Sequence, residues 1–231
     1  ADVALIPAVG YDVVPTDYLV VKLHRELPTA TRADVALVSR GGLSRGTIRT
    51  AVEGMRESGQ IRSGGELKTV EPAHRSLKIQ VGDRHATVSA IPLGDISSSY
   101  RATGIENITD FTPLPPGATG LPATIARRLL SVGPVYRIVD GLLARTLKGP
   151  SAASREKSQS DAWAQLGDDD GRTVTAAIRV PNTYDFTVRS AVHAVRTTRT
   201  EVEPGAWAPS QALGADFLTT IPGLDVEELE V

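Results

Sequence analysis

The segment Arg75–Ile91, RSLKIQVGDRHATVSAI, constrains the fold more than any other stretch of this chain. Leu77, Ile79 and Val81 alternate with polar residues as far as Gly82-Asp83, and Ala86, Val88 and Ala90 alternate away from it. Alternation with a period of two marks strands with one buried face, and a two-residue Gly-Asp insert between two such runs marks a hairpin turn. A second hairpin is expected around Gly167–Gly171, within Trp163–Val180. Further strands are expected at Val3–Ile6, Ala33–Val38 and Asn107–Thr112.

Helical spacing appears elsewhere. Thr16 is placed to cap a helix running to Leu27, with Asp17 in its positive first turn and Leu19, Val20, Leu23 and Leu27 on one face. Thr47 is placed to cap another that runs to Ser58. Ile125, Leu129 and Leu130, then Ile138, Val139, Leu142 and Leu143, recur at helical spacing, and Gly133-Pro134 between the two sets forces a kink or two helices. The stretch Thr183–Thr200 reads as a helix with Val188, Ala191, Val192 and Val195 inward, and a short helix starts near Ser210. Ser58–Leu67 reads as a glycine-rich turn region, Ile91–Gly117 as too rich in turn formers for a long element apart from its strand, and Gly149–Asp161 as a linker. The expected class is α+β (α/β), a mixed β-sheet with helices packed mainly on one face.

At 231 residues the chain can bury a sizeable core, and its composition, 41% apolar and 23% charged, is globular. With 25 basic and 27 acidic residues, the formal charge of −2 gives no overall attraction to nucleic acid or to anionic membrane. The absence of cysteine rules out disulfides, thiolate metal sites and cysteine nucleophiles, and fits a reducing compartment, so a cytoplasmic location is expected. The most apolar region, Leu121–Leu147, is interrupted by Arg127, Arg128, Arg137 and Arg145, so no transmembrane segment is expected. The opening ADVALIPAVGYD, a strand with neither an initiator methionine nor a signal peptide, suggests part of a longer polypeptide.

Four constellations bear on chemistry. Gly42-Leu43-Ser44-Arg45-Gly46 matches the G-x-S-x-G pattern of a nucleophile elbow, and His193 with an upstream aspartate would complete the chain order Ser, Asp, His of a serine hydrolase. That elbow belongs in the middle of a parallel sheet, however, and only one convincing strand precedes Ala33–Val38, so Ser44 reads better as a turn residue ahead of the helix capped by Thr47. Asp168-Asp169-Asp170 lacks the alternation and closing glutamate of a calcium loop, Ala177 standing where that glutamate would be, and reads as a solvated turn. His24, His74, His85 and His193 are isolated in sequence, so no metal site is expected. The fourth is GYDVVPTD, in which Asp12 and Asp17 flank a proline-containing turn between a strand and a helix N-terminus. Open α/β sheets place ligands and proton-transfer groups in such turns, although, taken alone, a turn-capping aspartate and a first-turn carboxylate account for the pair better.

Taken together, PAVGYDVVPTDYLVVKL, GGLSRGT, IPLGDISSSYRATGIENI and PSQALGADFLTTIPG resemble the saccharopine dehydrogenase-like oxidoreductases, especially the bacterial branch that includes trans-acting enoyl reductases. Tyr11 stands at a position where the family has phenylalanine. The resemblance runs in family order from about Val3 to Gly223. It implies an NAD(P)-dependent oxidoreductase acting on a small molecule, with lipid-like acyl or polyketide substrates open, and a homodimer. It further implies that residues 1–30 are the last strand and helix of a Rossmann-type domain, 31–205 an α+β substrate-binding and dimerisation domain, and 206–231 a C-terminal helix and tail returning toward the Rossmann side.

Asp12 and Asp17 are then candidates for proton transfer or positioning, Arg45, Thr47, Asp95 and Tyr100 for substrate binding, and Gly10 and Tyr11 for contact with the NADP or NAD cofactor. The G-x-G-x-x-G turn that binds the dinucleotide pyrophosphate in the family is not in this sequence, and GGLSRG has neither its spacing nor its acidic partner. A non-catalytic ligand-binding or oligomerisation domain is the alternative function, and a serine hydrolase using Ser44 the third.

Overall fold

The computed structural model describes residues 2–42, 44–54, 58–115, 117–146, 151, 158–198 and 202–231. Its centre is a nine-stranded mixed sheet. In chain order its strands are β2 (Arg32–Ser39), β3 (Gly59–Ser63), β4 (Glu66–Val70), β5 (Ser76–Val81), β6 (Arg84–Ala90), β7 (Asn107–Thr112), β8 (Gln159–Gly167), β9 (Thr173–Pro181) and β11 (Glu227–Leu229). The order across the sheet is β11-β9-β8-β2-β7-β3-β4, with the β5–β6 hairpin joined through β6 to β7. Only β2 and β7 run parallel; the other pairs are antiparallel. A separate parallel pair joins β1 (Ala4–Leu5) to β10 (Gly205–Ala206).

The expected hairpin is present, with Val81 paired to Arg84 across Gly82-Asp83. Gly82 takes a left-handed φ of 62°, a conformation a side chain would disfavour. The second expected hairpin is also present, β8 pairing along its length with β9. β2 is buried on both sides: Ala33, Val35 and Leu37 enter one core, Ala36 and Val38 the other. The first core is roofed by helices. α1 (Val14–Glu26) and α6 (Thr183–Thr197) lie over β8 and β9, and α3 (Asp95–Thr103) lies against α1 and β7. The second core is closed by the β5–β6 hairpin, through Ile79, Val81, Val88 and Ala90. Helices thus cover one face and a folded-over hairpin the other. Residues from 1–30, 31–205 and 206–231 share the first core, which contains Leu19, Val35 and Phe217.

Burying Leu19 and Leu23 in α1, with Leu27 at its end, stabilises the fold by about 1.5–3 kcal/mol each. α1 starts two residues before the expected cap: Val13 occupies the cap position without a side-chain bond, and Pro15 sits in the first turn, where its missing N–H costs nothing. Thr16 is therefore inside the helix. α2 (Arg45–Gly54) is capped by Ser44 rather than by Thr47, because the Ser44 Oγ accepts the Thr47 N–H at 3.0 Å, the bond expected between a cap and the third helical residue.

Two segments read as turns are regular elements. Ser58–Leu67 contributes to the β3–β4 hairpin, whose Gly64 and Gly65 both have left-handed φ, 61° and 77°. Its strands bury little, so the sequence carries no alternation to announce them. Within Ile91–Gly117, α3 forms and ends on Gly104 at a left-handed φ of 78°. Gly133-Pro134 does separate two helices, α4 (Gly120–Leu130) and α5 (Gly133–Thr146). The expected linker Gly149–Asp161 lies mostly outside the described residues, as do residues 55–57 and 199–200 of two expected helices; within the linker, β8 already begins at Gln159. The C-terminal part holds the short helices α7 (Pro209–Leu213) and α8 (Phe217–Thr220).

α6 exists where expected but is turned over. Phe186, Ser190 and Ala194 face the core, while Val188, Val192 and Val195 face outward, Val188 at 64% and Val195 at 69% exposure. Both stripes have helical spacing, and the large ring of Phe186, edge-on to Tyr11 with ring centroids 6.0 Å apart, decides which is buried.

Candidate functional site

The turn before α1 brings Asp12 to the surface by burying its neighbours. The Tyr11 ring enters the core and its hydroxyl donates to the Asp161 carbonyl at 3.0 Å, while its N–H donates to Thr187 Oγ1 at 3.1 Å. Gly10 packs on the same threonine, and an added Cβ there would lie 2.9 Å from Thr187 Cγ2. Asp12 is left exposed between them.

Across from this turn, α6 opens with Asn182, whose Oδ1 accepts the Tyr184 N–H at 2.9 Å. That cap projects the half-buried Tyr184 toward the beginning of α2, where its phenolic oxygen accepts the Ser44 N–H at 2.5 Å and lies 3.4 Å from Thr47 Oγ1. Ser44 Oγ and Thr47 Oγ1 are 2.9 Å apart, so three hydroxyls form a continuous chain reaching solvent. Burial acts to raise the pKa of Tyr184, but the hydrogen bonds from Ser44 and Thr47 outweigh it and the net shift is downward. The carboxylate of Asp12 is close enough to act on the phenol electrostatically. The protein around Asp12 in turn raises its own pKa by limiting its hydration, although the residue as a whole is exposed.

A second acidic group lies inside. Asp17, Asp95 and Asp110 are all buried, and Asp17 Oδ1, Asp95 Oδ2 and Asp110 Oδ1 have no hydrogen-bond partner among the described residues. Burial pushes Asp17 up to about 6, against the Ser210 N–H that donates to its other oxygen at 2.6 Å. Burial also pushes Asp110 up to about 7, although its Oδ2 accepts the N–H groups of Leu93 at 2.9 Å and Ile96 at 3.3 Å. Asp95 is raised further, by burial and then by the neighbouring Asp110. Thr16 Oγ1 donates at 2.8 Å to the Val13 carbonyl and to Asp95 Oδ1, a bond that pulls the Asp95 pKa down without offsetting its burial.

Ser44 and Thr47 thus meet at Tyr184, with Asp12 near enough to raise its pKa through charge alone, and Asp17 and Asp95 are both buried, bonded to Ser210 and Thr16. Two other candidates stand apart. Arg45 donates to the Ala144 carbonyl at 2.9 Å, and Tyr100 stacks under the Arg62 guanidinium, 4.0 Å from its ring centroid. Tyr184 and Asp110 escaped the sequence reading. Tyr184 sat in a helix read only for its valines, whereas Asp110, a carboxylate between Ile108 and Phe111 in a buried strand, did carry a signal. Asp161 is a further buried carboxylate that the sequence did not announce, paired with Arg40 and with Arg179 at 2.9 Å. Ser44 bonds to Thr47 and Tyr184, and His193 stacks on Phe217 and meets Thr220 at 3.0 Å, so the serine–histidine pairing of a hydrolase is not formed. Asp168 closes the β8–β9 turn by accepting the Arg172 N–H at 2.8 Å.

The residues around Gly10 do not fit a dinucleotide pyrophosphate. Thr187 fills the space a phosphate would need, and the Tyr11 N–H is already satisfied. A cleft beside Asn182 and Asp185, lined also by Arg179 and Glu227, encloses about 170 Å³, below the roughly 300 Å³ at which pockets for drug-sized ligands begin.

No family model matches this sequence, and none of the curated proteins does. Among solved structures, the apo histidine-tagged saccharopine dehydrogenase (L-Glu forming) from Saccharomyces cerevisiae matches with a TM-score of 0.50 over 96% of this chain and 73% of its own, at 9% identity. The chain therefore has a saccharopine dehydrogenase-like fold. At that identity the likeness concerns the fold alone.

Proposed function

We propose that this chain is the substrate-binding portion of an NAD(P)-dependent oxidoreductase of the saccharopine dehydrogenase-like type, reducing an enoyl or imine group of a small molecule, with lipid-like acyl or polyketide substrates included. The observation that carries this reading is the meeting of Ser44 and Thr47 at the Tyr184 phenol, with Asp12 within electrostatic range, on a fold shared with a dehydrogenase. The phenol, with its pKa lowered by donated hydrogen bonds, can give up a proton more readily than an ordinary tyrosine, and Asp12 beside it can orient a substrate or accept a proton. The hydroxyls of Thr47 and Ser44 link the phenol to solvent. In this reading the nicotinamide dinucleotide, NADP or NAD, is held by a separate Rossmann-type segment to which residues 1–30 belong, and the enzyme works as a cytoplasmic homodimer.

Two measurements test it. Calorimetric titration of the 231-residue chain with NADPH is expected to show no micromolar binding; such binding would place the cofactor site within this chain. In the protein carrying its dinucleotide-binding segment, Asp12→Asn is expected to leave the fold intact and slow turnover more than tenfold, equivalent to about 1.4 kcal/mol of barrier. Absence of turnover on enoyl and imine substrates would instead favour a non-catalytic binding domain.

A further inference from the structure

The α4–α5 hairpin stands off the sheet. Its helices pack on each other and on α2, tied down by Arg49 to Asp140 at 2.5 and 2.7 Å and by Arg127 to Glu71 at 3.1 Å. What it turns outward is apolar: Ile125 and Leu129 one turn apart on α4, Val132 in the connection, and Ile138 and Leu142 one turn apart on α5. Their exposure runs from 49% at Val132 to 65% at Ile138.

Arginines flank this stripe. Arg128 follows Ile125 by three positions, Arg137 adjoins Ile138, and Arg145 follows Ile138 by seven and Leu142 by three, which puts Arg145 on the same side of its helix. The side chains of these three exposed arginines form no ion pair or hydrogen bond among the described residues, and the acidic residue of the two helices, Asp140, is already neutralised by Arg49. On a chain of net charge −2, a positive face of this kind is a local feature that the total conceals.

We propose that the α4–α5 face binds an anionic lipid surface, with Ile125, Leu129, Val132, Ile138 and Leu142 entering the boundary between headgroups and acyl chains and Arg128, Arg137 and Arg145 holding lipid phosphates. What favours a lipid surface is charge complementarity: three arginine side chains without an acidic partner among the described residues flank the apolar stripe, and arginine stems lie along such a face while their guanidinium groups reach up to the headgroup phosphates. The hairpin rests on the surface without crossing it, since no helix among the described residues is long and apolar enough to span a bilayer.

Flotation of the 231-residue chain with vesicles tests this. Binding is expected to phosphatidylcholine vesicles containing phosphatidylglycerol, to weaken with salt, and to be negligible with phosphatidylcholine alone. Arg128→Glu combined with Arg145→Glu is expected to lower the partition coefficient at least about tenfold. Ile138→Asp should do likewise, with circular dichroism unchanged because the side chain is exposed. Val192→Asp, on the exposed stripe of α6, should leave binding unaltered. No vesicle binding, equal binding to neutral vesicles, or loss through Val192→Asp alone would overturn the proposal. Self-association abolished by Ile138→Asp without vesicle binding would also overturn it, assigning the face to a second copy.

Discussion

Ser44 shows how little a short pattern means without its neighbours. Its hydroxyl caps α2 and helps to hold down the Tyr184 pKa, while its N–H, which an alanine would keep, donates to the Tyr184 phenol. Ser44→Ala is expected to cost about 0.5–2 kcal/mol in denaturant unfolding, the usual loss for a helix cap. In a spectrophotometric titration the same variant is expected to raise the Tyr184 pKa, since the hydroxyl's share in favouring the phenolate is gone while the N–H bond remains. Labelling of Ser44 by a fluorophosphonate would contradict this account and restore the nucleophile. Tyr11, one residue from the exposed Asp12, does the opposite work: burial drives its pKa sharply up, so it anchors the turn and takes no part in proton exchange.

At the scale of the element, α6 and α3 depend on contacts far away in sequence. The buried stripe of α6 makes Phe186→Ala expensive, about 3–5 kcal/mol, whereas Val188→Ala on the exposed side should stay within about 0.5 kcal/mol. Comparable losses for the two in thermal unfolding would mean that the helix is oriented the other way. α3 begins where Asp110, on β7, supplies acceptors to the N–H groups of Leu93 and Ile96. The positive end of the helix and these N–H groups favour Asp110 as an anion, but burial outweighs them and its pKa stays raised, at about 7.

For the whole molecule, buried carboxylates set the pH dependence of stability. Asp17 at about 6 and Asp110 at about 7 have folded-state values above those of the unfolded chain. As pH rises from about 4 to about 7, the unfolded chain loses these protons first while the native state retains them. Their contribution is therefore fully present below about pH 4 and declines up to about pH 7. Unfolding temperature is expected to fall between about pH 4 and about pH 7, and Asp110→Asn, which keeps an acceptor for Leu93 and Ile96 but cannot ionise, should flatten that fall. An unchanged pH profile in the variant would remove Asp110 from the account.

What the sequence determined by itself was local. Alternation around Gly82-Asp83 and around Gly167–Gly171 defined two hairpins, and Gly133-Pro134 divided two helices, because turn geometry and side-chain period are fixed by neighbouring residues. The Gly-Asp turn could be read because its strands alternate; the Gly64-Gly65 turn could not, because β3 and β4 lie at the edge and bury too little to need a pattern. Of the candidate site, Asp12 and Thr47 were legible as polar residues in turns beside helix starts, but nothing in the sequence joined them. Tertiary structure decided the rest: which stripe of α6 is buried, what begins α3, and that Thr47 meets Tyr184, 137 positions further on, within electrostatic range of Asp12. The physical reason is that caps, buried charges and hydrogen-bonded hydroxyls act over a few ångströms, and only the packing of the sheet and helices brings distant segments within that range.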